Sequence, residues 1–269
     1  LKELINIQLI KLKFNQQSKI IIKTIGLLVS FIYNRCDLLL AQSRSFIVYM
    51  QRHCNSSSTI EYFPSWAEDT FSNPHVKPAS EVPNANSKMF SIMFAGNIGS
   101  GQDIPSLLKA ALILKKTSNV KFIIIGDGYL KKYLVDQIKE LKLNDTVYYL
   151  GSFPLKEMKN FYLHADVMML SLRDELIYSY TVPGKLQGYL ASKKVVAAMI
   201  NGESNEIIKQ ASCGIAVNAG NYTEFANELL ILSKMKASAL EKMKKEFTTA
   251  TMKWDCTSDL LEKTTKRTD

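Results

Sequence analysis

The sequence predicts an α/β fold: a doubly wound parallel sheet fills most of the chain, with a smaller unit ahead of it. Two observations carry this. From residue 89 onward, apolar runs of strand length alternate with amphipathic runs of helix length, the order that right-handed crossovers turn into a parallel sheet covered by helices on both faces. The strand runs, such as "FIII" and "VMML", are almost continuously apolar, as strands buried on both faces are.

The elements follow in order. The chain opens on "LKELINIQLIKLKF", apolar at helical spacing and without the basic head, apolar centre and small-residue cleavage site of a signal peptide. "IIIKTIGLLVSFIY", Ile20 to Tyr33, contains Lys23 and falls short of the ~20 apolar residues of a membrane span, so it is read as a core or amphipathic helix. "DLLLAQS" and "TIEYFP" are strand-like, and the polar, Pro-rich "SNPHVKPASEVPNANS" is a linker. Then come strand "MFSIMFAG", helix "IPSLLKAALILKK", strand "VKFIIIGDG", helix "KKYLVDQIKELK", strand "TVYYLGS", helix "LKEMKNFYLHA" and strand "DVMMLSL". Helix "GKLQGYLAS", strand "KVVAAMI", helix "SNEIIKQA", strand "GIAVN" and helix "YTEFANELLILSKM" complete the alternation, and "EKMKKEFTTATMKWDCTSDLLEKTTK" is a terminal amphipathic helix with Trp254 as an apolar anchor. The boundaries expected are 1–75, a linker at 76–88, a nucleotide-binding domain at 89–235 and terminal helices at 236–269.

Composition bounds the function. The 269 residues are 46% hydrophobic and 22% charged, enough for one large or two modest domains. A formal charge of +9 fits an anionic partner: nucleic acid, acidic lipid or a phosphorylated small molecule. Basic motifs interleaved with aromatics are not visible, which puts nucleic acid last. Cys36, Cys54, Cys213 and Cys256 lie far apart without C-x-x-C spacing, so neither a zinc site nor a disulfide framework is indicated, and reduced thiols of a cytoplasmic protein are expected. His53, His75 and His164 are isolated; no metal and no cofactor is expected.

In open parallel sheets, ligands bind beyond the carboxyl ends of the strands, where loops run into helix N-termini that favour anions. The loops concerned are "GNIGSGQD" (Gly96 to Asp103), "GDGYL" (Gly126 to Leu130), "GSFPLKE" (Gly151 to Glu157), "LRDELIYSYTVPGK" (Leu172 to Lys185) and "NGESNE" (Asn201 to Glu206). Gly96, Gly99, Gly126, Gly128 and Gly202 let backbone approach a phosphate, or merely close tight turns. No G-x-G-x-x-G or P-loop lysine is present; the joint placement of these loops on one sheet edge carries the reading.

"FAGNIGSGQD…LLKAA", "FIIIGDGYLKKYL", "VYYLGSFP…MKNFYLHADVMMLSL" and "TVPGKLQGYLASKKVVAAMINGESNEIIKQASCGIAV" together resemble the donor-binding domain of family 4 glycosyltransferases, retaining enzymes of the GT-B fold. The likeness is to the bacterial branch that builds colanic acid, capsule and O-antigen, including N-acetylfucosamine transferases. "YNRCDLLLAQSRSFIVYM" and "IEYFPSWAEDTF" resemble the end of that family's acceptor-side domain, with Ser43 and Trp66 near the interdomain cleft; Ser43 equally suits a helix cap. The resemblance implies a GT-B protein truncated at its amino end, with a partial N-terminal domain. It places an arginine and a lysine for the donor diphosphate at Asn97 and Gln102, and a pair of glutamates near Tyr180 and Gly188, none of which is charged here. The branch carries P-x-K-x-Q instead, matched by Pro183, Lys185 and Gln187.

A departing diphosphate develops negative charge, and a metal-independent transferase meets it with fixed cations and backbone donors. Lys185, just after the Pro183-Gly184 turn, is the candidate that replaces the missing lysine, and Arg173 is the second. Glu203 is the candidate for a sugar hydroxyl and, with Lys185, for catalysis. Glu206 suits either the donor or the helix start. Asp174, Glu175 and Thr181 complete the donor-side set.

The function expected is therefore sugar transfer from a nucleotide-diphosphate sugar to a lipid-linked or nucleotide-linked saccharide acceptor. The site expected for it is the cytoplasm, peripheral at the inner membrane face, where basic charge and apolar amino-terminal helices suit anionic lipid. The competing expectation is an inactive nucleotide-binding fragment that needs a separate N-terminal domain.

Overall fold

Capping residues start three of the helices. Ser43 accepts the N–H of Phe46, Asp103 that of Ser106 with Pro105 inside the first turn, and Asn221 that of Glu224, each supplying an acceptor for an otherwise orphaned donor. The structure, a computed structural model, describes residues 17–55, 58–65, 77–83, 88–116 and 119–243. The opening helix reading, Trp66, His75, Trp254 and most of the terminal helix reading lie outside them.

The amino-terminal unit consists of α1 (Gln17–Tyr33), β1 (Leu38–Ala41), α2 (Arg44–Gln51) and β2 (Thr59–Tyr62), with β1 and β2 parallel. The larger domain runs β3 (Phe90–Ala95), α3 (Ile104–Lys115), β4 (Val120–Ile125), α4 (Lys131–Glu140) and β5 (Val147–Gly151). A 3₁₀ turn (Leu155–Glu157) then leads into α5 (Met158–Tyr162), β6 (Val167–Ser171), α6 (Leu176–Ser179), α7 (Gly184–Ala191), β7 (Val195–Met199), α8 (Glu203–Gln210), β8 (Gly214–Val217) and α9 (Tyr222–Lys234). Among the described residues no helix is long and apolar enough to cross a membrane.

All six strands of the large sheet are parallel, in the order β5-β4-β3-β6-β7-β8. Phe122, Ile124 and Met169 face α3, α4 and α9, while Met93, Ile123 and Met168 face α5, α7 and α8. The fold is thus the parallel-sheet α/β class that the alternation predicts. Two local differences stand out. The helix expected over "LKEMKNFYLHA" is shorter because Pro154 first sets a 3₁₀ turn whose Glu157 N–H reaches the Pro154 carbonyl. One turn of helix, α6, forms inside the loop "LRDELIYSYTVPGK".

The Pro-rich stretch is not free of the domain. Val82 is buried in the core under β4 and β6, the Asn160 side chain and carbonyl accept the N–H groups of Lys77 and Ala79, and the buried Lys121 ammonium donates to the Pro83 carbonyl at 3.3 Å.

The strand order reverses between β3 and β6, and there the strands part. They pair at Ile92–Val167 and Met93–Met168 only, so Ala95 at the end of β3 has no ladder partner on that side. The hydroxyl of Tyr189, from α7, takes the strand's place: it accepts the Ala95 N–H at 3.1 Å and donates to the Ala95 carbonyl at 3.0 Å. Tyr189 is fully buried, and burial pushes its phenol well above its ordinary value. Tyr189→Phe strands both Ala95 groups, and an unsatisfied buried donor or acceptor costs about 1–3 kcal/mol. Urea unfolding should register a loss of that size; an unchanged midpoint would show that the hydroxyl does not hold the strands apart.

Candidate donor-binding cleft

Beyond the carboxyl ends of β3 and β4, beside that switch point, lies a cleft of about 370 Å³, in the region where ligands of such sheets bind. Its floor is Ala95-Gly96 and Ile125-Gly126, one wall is the start of α7 with Gly184, Lys185, Gln187 and Gly188, and the far wall is Ser152, Phe153, Leu155, Met158 and Tyr162. One end is therefore polar backbone and ammonium, the other largely apolar. Phe153 is braced by Phe161 with ring centroids 4.4 Å apart.

The floor depends on glycine at Gly126. Its φ is 142°, and a Cβ there would lie 1.9 Å from the Gly96 carbonyl oxygen, so the two loops nest only without a side chain. Gly128 and Gly99 crowd the Asn97 side chain, and the Lys185 stem lies directly over Gly96.

Lys185 is the second residue of α7. Its ammonium donates to the Asn97 carbonyl at 3.3 Å and to Gln102 Oε1 at 2.9 Å, and it sits 4.0 Å from the centre of the Phe94 ring. Both acceptors are neutral. Burial without a carboxylate partner lowers its pKa from 10.5 to about 7. The α7 start adds N–H groups of Gly184 and Lys185 that no side chain caps. A cation, a helix N-terminus and nested glycine turns around one volume make an anion seat.

The other candidates divide between cleft and surroundings. Gln187 is 5% exposed, lines the cleft, and makes no hydrogen bond through its side chain to a described residue. Pro183 ends the loop as the residue before α7, and Thr181 Oγ1 donates to the Ile177 carbonyl at 2.9 Å. Arg173 is exposed with Nη1 3.6 Å from Glu175 Oε1, and Asp174 accepts from Asn201 at 2.8 Å. Gly202, φ 75°, has its Cα against the Ser179 carbonyl, 2.0 Å from where a Cβ would stand. Glu203 faces the amino-terminal unit: its Oε2 accepts the Ser45 N–H at 2.9 Å. Glu206 is exposed on the first turn of α8. Ser43 both caps α2 and donates to the Tyr180 carbonyl.

Residues 77–253 match the family described as "Glycosyl transferases group 1". The chain belongs to that family. As a group 1 glycosyltransferase sequence it is 32% identical over 196 residues to "Probable glycosyltransferase WbjE" of Pseudomonas aeruginosa, a match covering 70% of this chain and 47% of that protein. The chain thus spans about half the length of that relative. The fold is shared with the pneumococcal O-GlcNAc transferase GtfA, solved with UDP and GlcNAc (TM-score 0.64, 17% identity, 86% of this chain and 44% of that one). It is shared also with Anabaena Alr3699/HepE, solved with UDP and glucose (TM-score 0.67, 14% identity, 86% and 63%).

For this group 1 member the sequence placed the loop Gly151 to Glu157 on the ligand edge without singling out Ser152, Phe153 or Leu155, and it did not anticipate Met158 or Tyr162 as cleft residues. They form no spaced motif, and only their position after the β5 edge brings them to the site. For Lys185 the sign of the pH effect is fixed. Its folded value lies below 10.5, so the unfolded chain holds more protons between pH about 7 and about 10.5, and stability rises with pH across that window. Lys185→Met should be more stable than the parent near neutral pH, with the difference closing toward the upper end of the window. Equal melting-temperature slopes against pH in the two proteins would contradict this.

Proposed function

We propose that the cleft holds the nucleoside diphosphate of a sugar donor and that the protein is a retaining glycosyltransferase of cell-surface polysaccharide synthesis. The observation that carries the reading is Lys185, an ammonium without a counter-carboxylate, set at a helix start over two nested glycine turns. An apolar volume bounded by Phe153, Leu155, Met158 and Tyr162 suits the flat face of a base, and the unpartnered Gln187 amide beside Gly188 suits a ribose hydroxyl. The diphosphate lies between them, against Gly96, Asn97, Gly99, Gln102, Gly126 and Gly128, and the sugar extends toward the loops of Arg173, Asp174, Glu175, Thr181 and Gly202. UDP in the fold relatives GtfA and HepE supports a nucleoside diphosphate in this position.

In the reaction the bond between anomeric carbon and diphosphate oxygen breaks as an acceptor hydroxyl oxygen bonds to that carbon, and the hydroxyl proton leaves with the departing diphosphate or solvent. Lys185 and the α7 N–H groups stabilise the charge that develops on the leaving oxygen. The acceptor is a lipid-linked or nucleotide-linked saccharide of the O-antigen, capsule or colanic acid type, met at the inner membrane face. Supporting the surface location, α1 exposes Leu27, Leu28, Phe31 and Ile32 and carries no acidic residue.

Calorimetric titration with UDP, GDP and dTDP tests the donor site. One of them should bind, and Lys185→Ala should weaken it at least tenfold and lower kcat/KM for transfer by roughly 10²-fold. A diphosphate holds the ammonium form, so affinity should fall as pH rises above about 7 and binding should take up a proton there. Wild-type affinity in Lys185→Ala would remove the residue from the site.

A further inference from the structure

We infer that Glu203 and Ser43 are positioning residues that tie the amino-terminal unit to the loops at the sugar end of the cleft, so that donor occupancy is felt at the first turn of α2. The inference rests on the donor reading above. Three contacts join the two parts at one place: Glu203 Oε2 accepts the Ser45 N–H at 2.9 Å, the Ser43 hydroxyl donates to the Tyr180 carbonyl, and the Tyr49 and Tyr180 rings lie 5.8 Å apart.

The Glu203 carboxylate does not line the 370 Å³ cleft. It is turned toward α2, where Ser45 is the second residue of the helix, and an anion there meets both an orphaned N–H and the positive end of the helix. Its surroundings confirm that direction. Tyr62 of β2 has its phenol raised, first by burial and then by the Glu203 charge, and the Arg44 guanidinium stands 4.6 Å over the Tyr62 ring. Ser43 is fully buried and uses its oxygen twice, accepting from Phe46 at 3.0 Å while donating across to Tyr180.

The two loops that receive these contacts are packed against each other. The Gly202 backbone lies against the Ser179 carbonyl, leaving no room for a Cβ, and Ser204 Oγ donates to the Thr181 carbonyl at 3.2 Å. Tyr180 is five residues before Lys185 on the segment that leads through Pro183 into α7. A diphosphate held by the α7 N-terminus and Lys185 therefore orders the segment whose Tyr180 carbonyl holds Ser43, and through Gly202 the start of α8 whose Glu203 holds Ser45. By reciprocity, loosening α2 must weaken the diphosphate.

Hydrogen exchange on the full chain, with and without UDP or whichever diphosphate binds, measures this directly. Ligand should slow exchange of the α2 amides at residues 46–48 by about fivefold or more, the lower range of such couplings. Ser45→Pro removes the N–H that Glu203 accepts together with the Ser45 hydroxyl, at a first-turn position that tolerates proline, and Ser45→Ala, which loses the hydroxyl alone, is its control; Ser43→Ala removes the bridging hydroxyl. In Ser45→Pro the ligand-dependent slowing should shrink severalfold although the ligand still binds, and the dissociation constant should rise by the same factor. In Glu203→Gln, whose amide oxygen still accepts, much of the response should return relative to Glu203→Ala. A ligand that binds the parent without slowing α2, or an undiminished response in Ser45→Pro, overturns the tie while leaving the donor site standing. Absence of binding by every diphosphate overturns the donor reading and this inference with it.

Discussion

The parting of β3 from β6 is the constraint on which the rest depends. A parallel sheet closes its backbone hydrogen bonds between neighbours, and where the strand order reverses the neighbours carry their helices to opposite faces. The two strands separate after Met93 and Met168, and the Tyr189 hydroxyl closes both open groups of Ala95. Because Tyr189 belongs to α7, the same contact that seals the sheet fixes the helix whose first turn carries Lys185. The helix that carries the cation and forms one wall of the cleft is thus tied to the sheet by one buried hydroxyl.

The electrostatic design is a cation left unneutralised. An ammonium held by two neutral oxygens and an aromatic ring is partly desolvated, and its attraction for an incoming anion is stronger than that of a hydrated surface lysine. The cation–ring contact contributes modestly, while an acid in the same place would cancel the field. Acids of the surrounding loops are otherwise committed: Asp103 to the Ser106 N–H, Asp127 to Lys131 and the Gly128 N–H, Asp174 to Asn201, and Glu203 to Ser45.

Much of this was legible in the chain. Continuous apolar strands with helices between them determine a parallel sheet whatever the loops do, and glycines clustered after the strands mark the edge where the cleft opens. Lys185 followed from its place after Pro183-Gly184. Three things were not legible. The apolar cleft wall of Phe153, Leu155, Met158 and Tyr162 has no motif, since any apolar residue of suitable size serves there. Glu203 stands beside Gly202 at the donor edge, yet its side chain is captured by a helix 158 residues earlier in the chain, a contact that no local pattern encodes. The Pro-rich stretch has the composition of a free linker, but Val82 in the core and hydrogen bonds to Asn160 and from Lys121 hold it against the domain.

Gln102 stands where the family resemblance places a basic residue, and its side-chain oxygen is 2.9 Å from the Lys185 ammonium. A positive charge therefore reaches the Gln102 side chain from a different stretch of chain. Compared column by column, such a protein has lost a cation; compared atom by atom around the cleft, it has exchanged the backbone that carries it. Such a cation is visible only in three dimensions, because α7 and the loop after β3 bring it to the cleft from stretches of chain 83 residues apart.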